Sequence, residues 1–215
     1  MVSAFIDIMN SAGLYMEVNN AAATLGMYMY SNMASILNNL CNVALSYGTH
    51  DELARTIPFL HASNAFNCLT ATPEGGRYYE LGHERCVRTT PEQEGLTSRA
   101  NQAIDPSWGI QPLPDPAAMY SKGRRDHMVN FLNEDPSTND DAKIRGYLNR
   151  ELFIGKEKSN GSAFIHTPLP GSKDEVTVWQ VVTKPADRTV WWRIPTQSGW
   201  MEIDLRKYFT NSEPQ

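Results

Sequence analysis

The sequence predicts an α+β fold, with strands and helices in separate runs, and three observations carry that reading. Turn formers between short apolar runs mark antiparallel hairpins at both ends of the chain. Apolar side chains at helical spacing mark one helical block over residues 26 to 46 and another between residues 117 and 153. The resulting order is strands, helices, strands, helices, strands, which suits two antiparallel sheets sandwiched by helices. At 215 residues the chain reads as a single domain, 1–215, with enough length for a real core.

The first hairpin lies at residues 4 to 8 and 14 to 18, with Asn10-Ser11-Ala12-Gly13 as its turn. A strand that begins at about residue 3 with nothing before it needs neighbours from elsewhere, so this start reads as the middle of a strand. The first helix carries Met29, Met33, Ile36, Leu37, Leu40, Val43 and Ala44 on one face, and Gly48 closes it. Its methionines read as core packing. Either Thr49 or His50 opens a second, short helix that ends near Pro58, with Asp51 and Glu52 suited to its first turn.

Residues 64 to 101 read as an antiparallel meander. Its strands run through Phe66-Cys68-Thr70, Tyr78-Leu81, Cys86-Arg88 and Gly95-Thr97, with turns at Glu74-Gly75-Gly76 and His83-Glu84. Four prolines between Pro106 and Pro116 make the next stretch a loop. Helices follow over residues 117 to 134 (Met119, Met128, Phe131 and Leu132 inward) and 138 to 153 (Ile144, Leu148 and Leu152 inward). Strands at 176 to 183, 188 to 194 and 201 to 203 close the chain. Neither face of the first of these is cleanly polar, which predicts cover on both sides.

Composition excludes several classes. The net charge is −5 and the basic residues are dispersed, so there is no nucleic-acid footprint. No apolar run reaches the length of a membrane span. Residues 1 to 7 lack the basic segment of a signal peptide and carry Asp7, so any export signal would lie upstream of Met1. Cys41, Cys68 and Cys86 have no metal spacing and read as buried thiols. The five histidines are scattered and read as caps, surface or core residues. No cofactor or metal site is expected.

The polar residues that packing does not require are Asn19-Asn20 after the first hairpin, Asn101 before Asp105-Pro106-Ser107-Trp108, and Arg124-Arg125 early in a helix. Side-chain amides can donate to a developing oxyanion, and an arginine can orient a carboxylate or keep a nucleophile's surroundings positive. Turn-forming asparagines and a solvated arginine pair remain open beside that reading.

These same residues carry a resemblance. Met9-Asn10-Ser11-Ala12-Gly13-Leu14 through Asn19-Asn20 resembles a segment of the linear amide C–N hydrolases, the choloylglycine hydrolase and penicillin V acylase family. Gly95-Leu96, Asn101 and Asp105-Pro106-Ser107-Trp108-Gly109 resemble a second segment, and Ser121-Lys122-Gly123-Arg124 a third. The closing strands, Val178 to Val182, Trp191 to Pro195 and Asp204 to Phe209, complete an ordered match from residue 3 to 209.

The resemblance implies the αββα sandwich of N-terminal-nucleophile hydrolases, here N-terminally incomplete. It implies cleavage of a small N-acyl amide by an N-terminal cysteine through an acyl-enzyme. Asn20 (Asn19 as the alternative; a gapless count from Gly13 favours Asn20) matches an oxyanion donor. Asn101 matches the second catalytic asparagine, and Arg124 the arginine beside the nucleophile. The departures are specific. Only 19 residues precede Asn20 and none is cysteine, so the nucleophile is not in the chain. Ala100 and Gln102 replace a common Thr and His. The chain alone is expected to be inactive, and its open sheet edges predict aggregation or self-association into a homo-oligomer. The alternatives are a catalytically dead binding or interaction domain, and an acyltransferase on the same fold.

Overall fold

A computed structural model of the chain describes residues 7–21, 36–60, 62, 65–82, 86–88, 95–108, 121–151, 179–194 and 197–209. The expected hairpin forms from β1 (Asp7–Met9) and β2 (Tyr15–Asn20). Asn10 builds its turn: Oδ1 accepts from the backbone N–H groups of Ala12 and Leu14, each at 3.0 Å. Gly13 follows at φ 85°, where a side chain is strained, and a Cβ there would lie 2.7 Å from the Pro185 carbonyl oxygen. The Asn10 amide donates to the carbonyls of Ala44 (2.7 Å) and Tyr47 (2.6 Å), at the end of α1 (Ile36–Ser46). The hairpin and the first helix are therefore tied through one side chain.

Helix α1 buries Ile36, Leu40, Val43 and Ala44, the face its spacing predicts; Met29 and Met33 lie outside the described residues. For α2 (His50–Thr56) the N-cap is Thr49. Its hydroxyl accepts from the Glu52 N–H while the Glu52 carboxylate accepts from the Thr49 N–H, a reciprocal cap. His50 is buried with Nε2 at 2.9 Å from the Gly75 carbonyl oxygen, a structural role. A 3₁₀ turn, Ile57–Phe59, ends the helix at Pro58.

The meander supplies β3 (Phe66–Thr72), β4 (Gly75–Leu81) and β5 (Cys86–Arg88). With the hairpin they make a five-stranded antiparallel sheet in the order β1-β2-β3-β4-β5. The His83-Glu84 turn lies outside the described residues. The strand expected at Gly95–Thr97 is absent. Residues 97–105 run irregularly, because buried side chains on the sheet bond their backbone in place of a neighbouring strand.

Helices α3 (Ser121–Glu134) and α4 (Asp141–Glu151) follow. The second starts later than its pattern suggests. Pro136–Thr138 forms a 3₁₀ turn first, and the Asp140 carboxylate then caps the helix by accepting from the Lys143 N–H at 2.7 Å. Phe131 of α3 stacks on Tyr147 of α4 with ring centroids 4.2 Å apart. Met119 and Leu152 lie outside the described residues.

The chain closes with β6 (Gln180–Lys184), β7 (Thr189–Arg193) and β8 (Met201–Asp204), an antiparallel sheet in that order. Its helix-facing side carries Trp191 under the Arg145 guanidinium (4.7 Å) and Arg193 hydrogen-bonded to Asn149 and to Gln180 (2.7 Å). Arg188 joins the two sheets, donating to the carbonyls of Ser11 (3.1 Å) and Ala12 (3.2 Å) in the first turn. Val181 of β6 shares a cavity with Leu69 of β3 and Tyr78 of β4. The layers are α1 and α2, the five-stranded sheet, the three-stranded sheet, then α3 and α4. No helix among the described residues is long and apolar enough to cross a membrane.

Candidate active site

Strand alternation divides the five-stranded sheet into two faces. Met16, Val18, Cys68, Tyr79 and Leu81 point to α1 and α2 and join one apolar core. The residues between them form cross-strand rows on the inner face: Glu17, Leu69 and Tyr78 in one, Asn19, Asn67 and Glu80 in the next. Above the first row lies a cavity of about 430 Å³. Glu17, Asn19, Tyr78, Thr97, Arg99 and Asn101 form its polar wall. Met128, Leu132, Ile144, Leu148, Val181 and Leu69 form its apolar wall. A mostly apolar cleft with a few convergent polar groups is the usual form of a small-molecule site.

The second row holds the loop that completes the polar wall. Asn67 is fully buried, and its amide donates to the carbonyls of Ala100 (2.7 Å) and Gln102 (3.2 Å), the two neighbours of Asn101. Glu80, also fully buried, accepts from the N–H groups of Ile104 (2.8 Å) and Asp105 (3.1 Å) and from the Trp108 indole (2.7 Å). The Arg99 guanidinium lies 3.7 Å from the same carboxylate and stacks over the Tyr78 ring at 5.1 Å. Two buried side chains therefore fix the backbone on both sides of Asn101.

The electrostatics of the wall follow from burial. Glu17 is pushed up to about 7 by its removal from water and by the Asp7 carboxylate, its cross-strand partner. The Asn19 amide opposes that shift, donating to Glu17 Oε1 at 2.6 Å. Burial also raises the Tyr78 hydroxyl well above its ordinary range, with the Glu17 charge adding to it. Burial raises Glu80 despite the hydrogen bonds it accepts. Tyr15 donates its hydroxyl to Asp7, next to Glu17 on the same face.

Of the residues singled out from the sequence, the structure brings Asn19 and Asn101 to one cavity. Asn20 ends β2 opposite Phe66, and Arg124 sits near the start of α3; their side chains lie outside the described residues. Arg125 pairs with Asp126 at 3.0 Å. Cys41 lies on α1 and Cys68 in the helix-side core, and neither is among the cavity's described lining residues. Cys86 lies on β5, its side chain outside the described residues.

Sequence reasoning missed Glu17, Tyr78, Arg99, Asn67 and Glu80. A signal was present in Tyr15-Met16-Glu17-Val18-Asn19 and Tyr78-Tyr79-Glu80-Leu81, where polar groups alternate with core residues at period two.

The layered order of helices and antiparallel sheets is the αββα architecture of the N-terminal-nucleophile hydrolases. Two solved structures of conjugated bile acid hydrolase from Clostridium perfringens, a variant and a mutant, share it. The variant superposes with a TM-score of 0.58 at 13% identity, covering 95% of this chain and 74% of the other. The mutant gives 0.58 at 12%, covering 95% and 73%. No family model and no curated protein matches the sequence. The relationship is thus one of fold, and a distant one.

Proposed function

We propose that the protein is an amidohydrolase of linear N-acyl amides, to which this chain contributes the acyl-amide pocket and the oxyanion donors. The observation that carries the reading is the meeting of Asn19 and Asn101 at one cavity with an apolar far wall, on a fold shared with conjugated bile acid hydrolase. An acyl chain suits Met128, Leu132, Ile144 and Leu148, and the amide carbonyl suits the asparagine end. The Asn19 amide donates to Glu17 and is hydrogen-bonded to Tyr78, so a carbonyl oxygen that accepts from it takes the place of the Tyr78 hydroxyl. In the reaction a thiolate adds to the carbonyl carbon, and the oxyanion accepts from the asparagines. The C–N bond breaks as the amine takes the proton that the thiol gave up, and water then cleaves the thioester to a carboxylic acid and restores the thiol. Asn20 as the alternative donor and Arg124 as the group that keeps the thiolate charged are parts of the same proposal.

A second reading, a binding domain without catalysis, is favoured by one observation: no thiol is among the cavity's described lining residues. Protein from its native source, incubated with N-octanoyl amides, distinguishes the two. The first reading expects octanoate release that iodoacetamide blocks. Binding with no octanoate released, and none transferred to an added amine, would overturn it in favour of the second.

A further inference from the structure

The inner face of the sheet carries more negative charge than an amide pocket requires. Glu17 lines the cavity, and among the described residues the one hydrogen bond to its carboxylate comes from Asn19. Asp7 of β1 faces it across the hairpin, while the Asp7 oxygens accept from Tyr15 of β2 and, at 3.4 Å, from the Trp179 indole. Tyr78 comes from β4. From the 97–101 segment comes Arg99, the cation among the described lining residues, and Glu80 lies 3.7 Å behind it. From β3, α3 and β6 come Leu69, Met128, Leu132 and Val181, and from α4 Ile144, Leu148 and the Tyr147 ring. Among the described residues, three carboxylates thus stand against one guanidinium, and that guanidinium is already held by a carboxylate.

We propose that the cavity takes an N-acyl amine whose amine part carries a second, protonated nitrogen, and that Glu17 selects it. The inference rests on the acyl-amide reading above and names its substrate class. The acyl chain lies along α3 and α4, the amide at Asn19 and Asn101, and the terminal ammonium donates to the free oxygen of Glu17. An ammonium in that place replaces the water that burial has removed from the carboxylate, and a charge-assisted hydrogen bond forms in a partly dry site. A neutral amine part leaves the Glu17 charge unanswered, and an anionic one meets it head on.

Titration calorimetry with three probes of matched size tests this: N-octanoyl-ethylenediamine, N-octanoyl-propylamine and N-octanoyl-glycine. At pH 8 the ethylenediamine probe is expected to bind about tenfold or more tighter than the propylamine probe, and the glycine probe weakest. Protonation of Glu17 near pH 7 removes the preference, so the ratio falls towards one by pH 5. Glu17→Gln brings the ratio at pH 8 to about one, and the wild-type pH series gives the same information should that variant fold poorly. Equal or tighter binding of the propylamine or glycine probe at pH 8 overturns the role of Glu17 and leaves the acyl-amide pocket standing. If none of the three binds, the acyl-amide reading itself fails, and this inference with it.

Discussion

The two faces of the five-stranded sheet are built from the same strands and do opposite work. On the helix side Met16, Val18, Tyr79 and Leu81 are almost fully removed from water and make a closed apolar core. One residue along each strand, on the inner side, Glu17, Asn19, Asn67, Tyr78 and Glu80 place carboxylates, amides and a phenol at or beneath an open cavity. Burying polar groups costs free energy that burying apolar ones contributes. A sheet that spent its second face on stability alone would carry aliphatic residues there. The inner face is therefore where stability is given up for a site, and substitutions on the two faces should behave differently.

The largest effect belongs to the core face. Leu81→Ala removes a side chain 1% exposed and should destabilise by about 3–4 kcal/mol, read by urea unfolding, with ligand affinity per folded molecule little changed. A loss under about 1 kcal/mol would mean that this face is not closed.

Next comes a gain. The native state holds Glu17 protonated up to about 7, against 4.5 when unfolded, so folding takes up a proton between those values. Stability should be greatest below about pH 4.5 on this account, decline to about pH 7 and level off above it. Glu17→Gln should remove that decline and stabilise the protein at pH 8 by about 2 kcal/mol, discounted because the side chain still meets the open cavity. Unfolding curves at pH 5 and pH 8 check the sign, and equal slopes in both proteins would refute it.

Glu80→Gln should cost about 1–2 kcal/mol, because it trades one accepting oxygen for a donor beneath two backbone N–H groups. It should also weaken binding of N-octanoyl amides, since the loop that carries Asn101 loses part of its hold. The smallest change in stability is expected for Asn101→Ala, within about 0.5 kcal/mol, because Asn67 and Glu80 keep the backbone in place without it. Its expected loss is in octanoate release, which separates an oxyanion donor from a loop-former.

Much of the fold was legible because period two and period 3.6 write themselves into the chain. The Asn10–Gly13 turn, the inward face of α1 and the hairpin at residues 184–187 all follow from local sequence. The segment 97–105 did not, because its conformation is set by Asn67 and Glu80, some twenty to thirty-five residues away in sequence. The site was legible in part for the same reason. Asn19-Asn20 and Asn101 stand out as polar residues that packing does not require, although the count from Gly13 favours Asn20 and the cavity is lined by Asn19. That Glu17 joins them depends on the register of β1, β2 and β3, which only the pairing of strands fixes.

The most direct test of the inner face as the binding site is a backbone amide shift map of isotope-labelled protein titrated with N-octanoyl-propylamine. The account predicts shifts at Glu17, Asn19, Tyr78, Arg99, Asn101 and Leu132, with Ala44 and Leu53 on the helix side unmoved. Shifts confined to α1 and α2, or none at saturating probe, would contradict it.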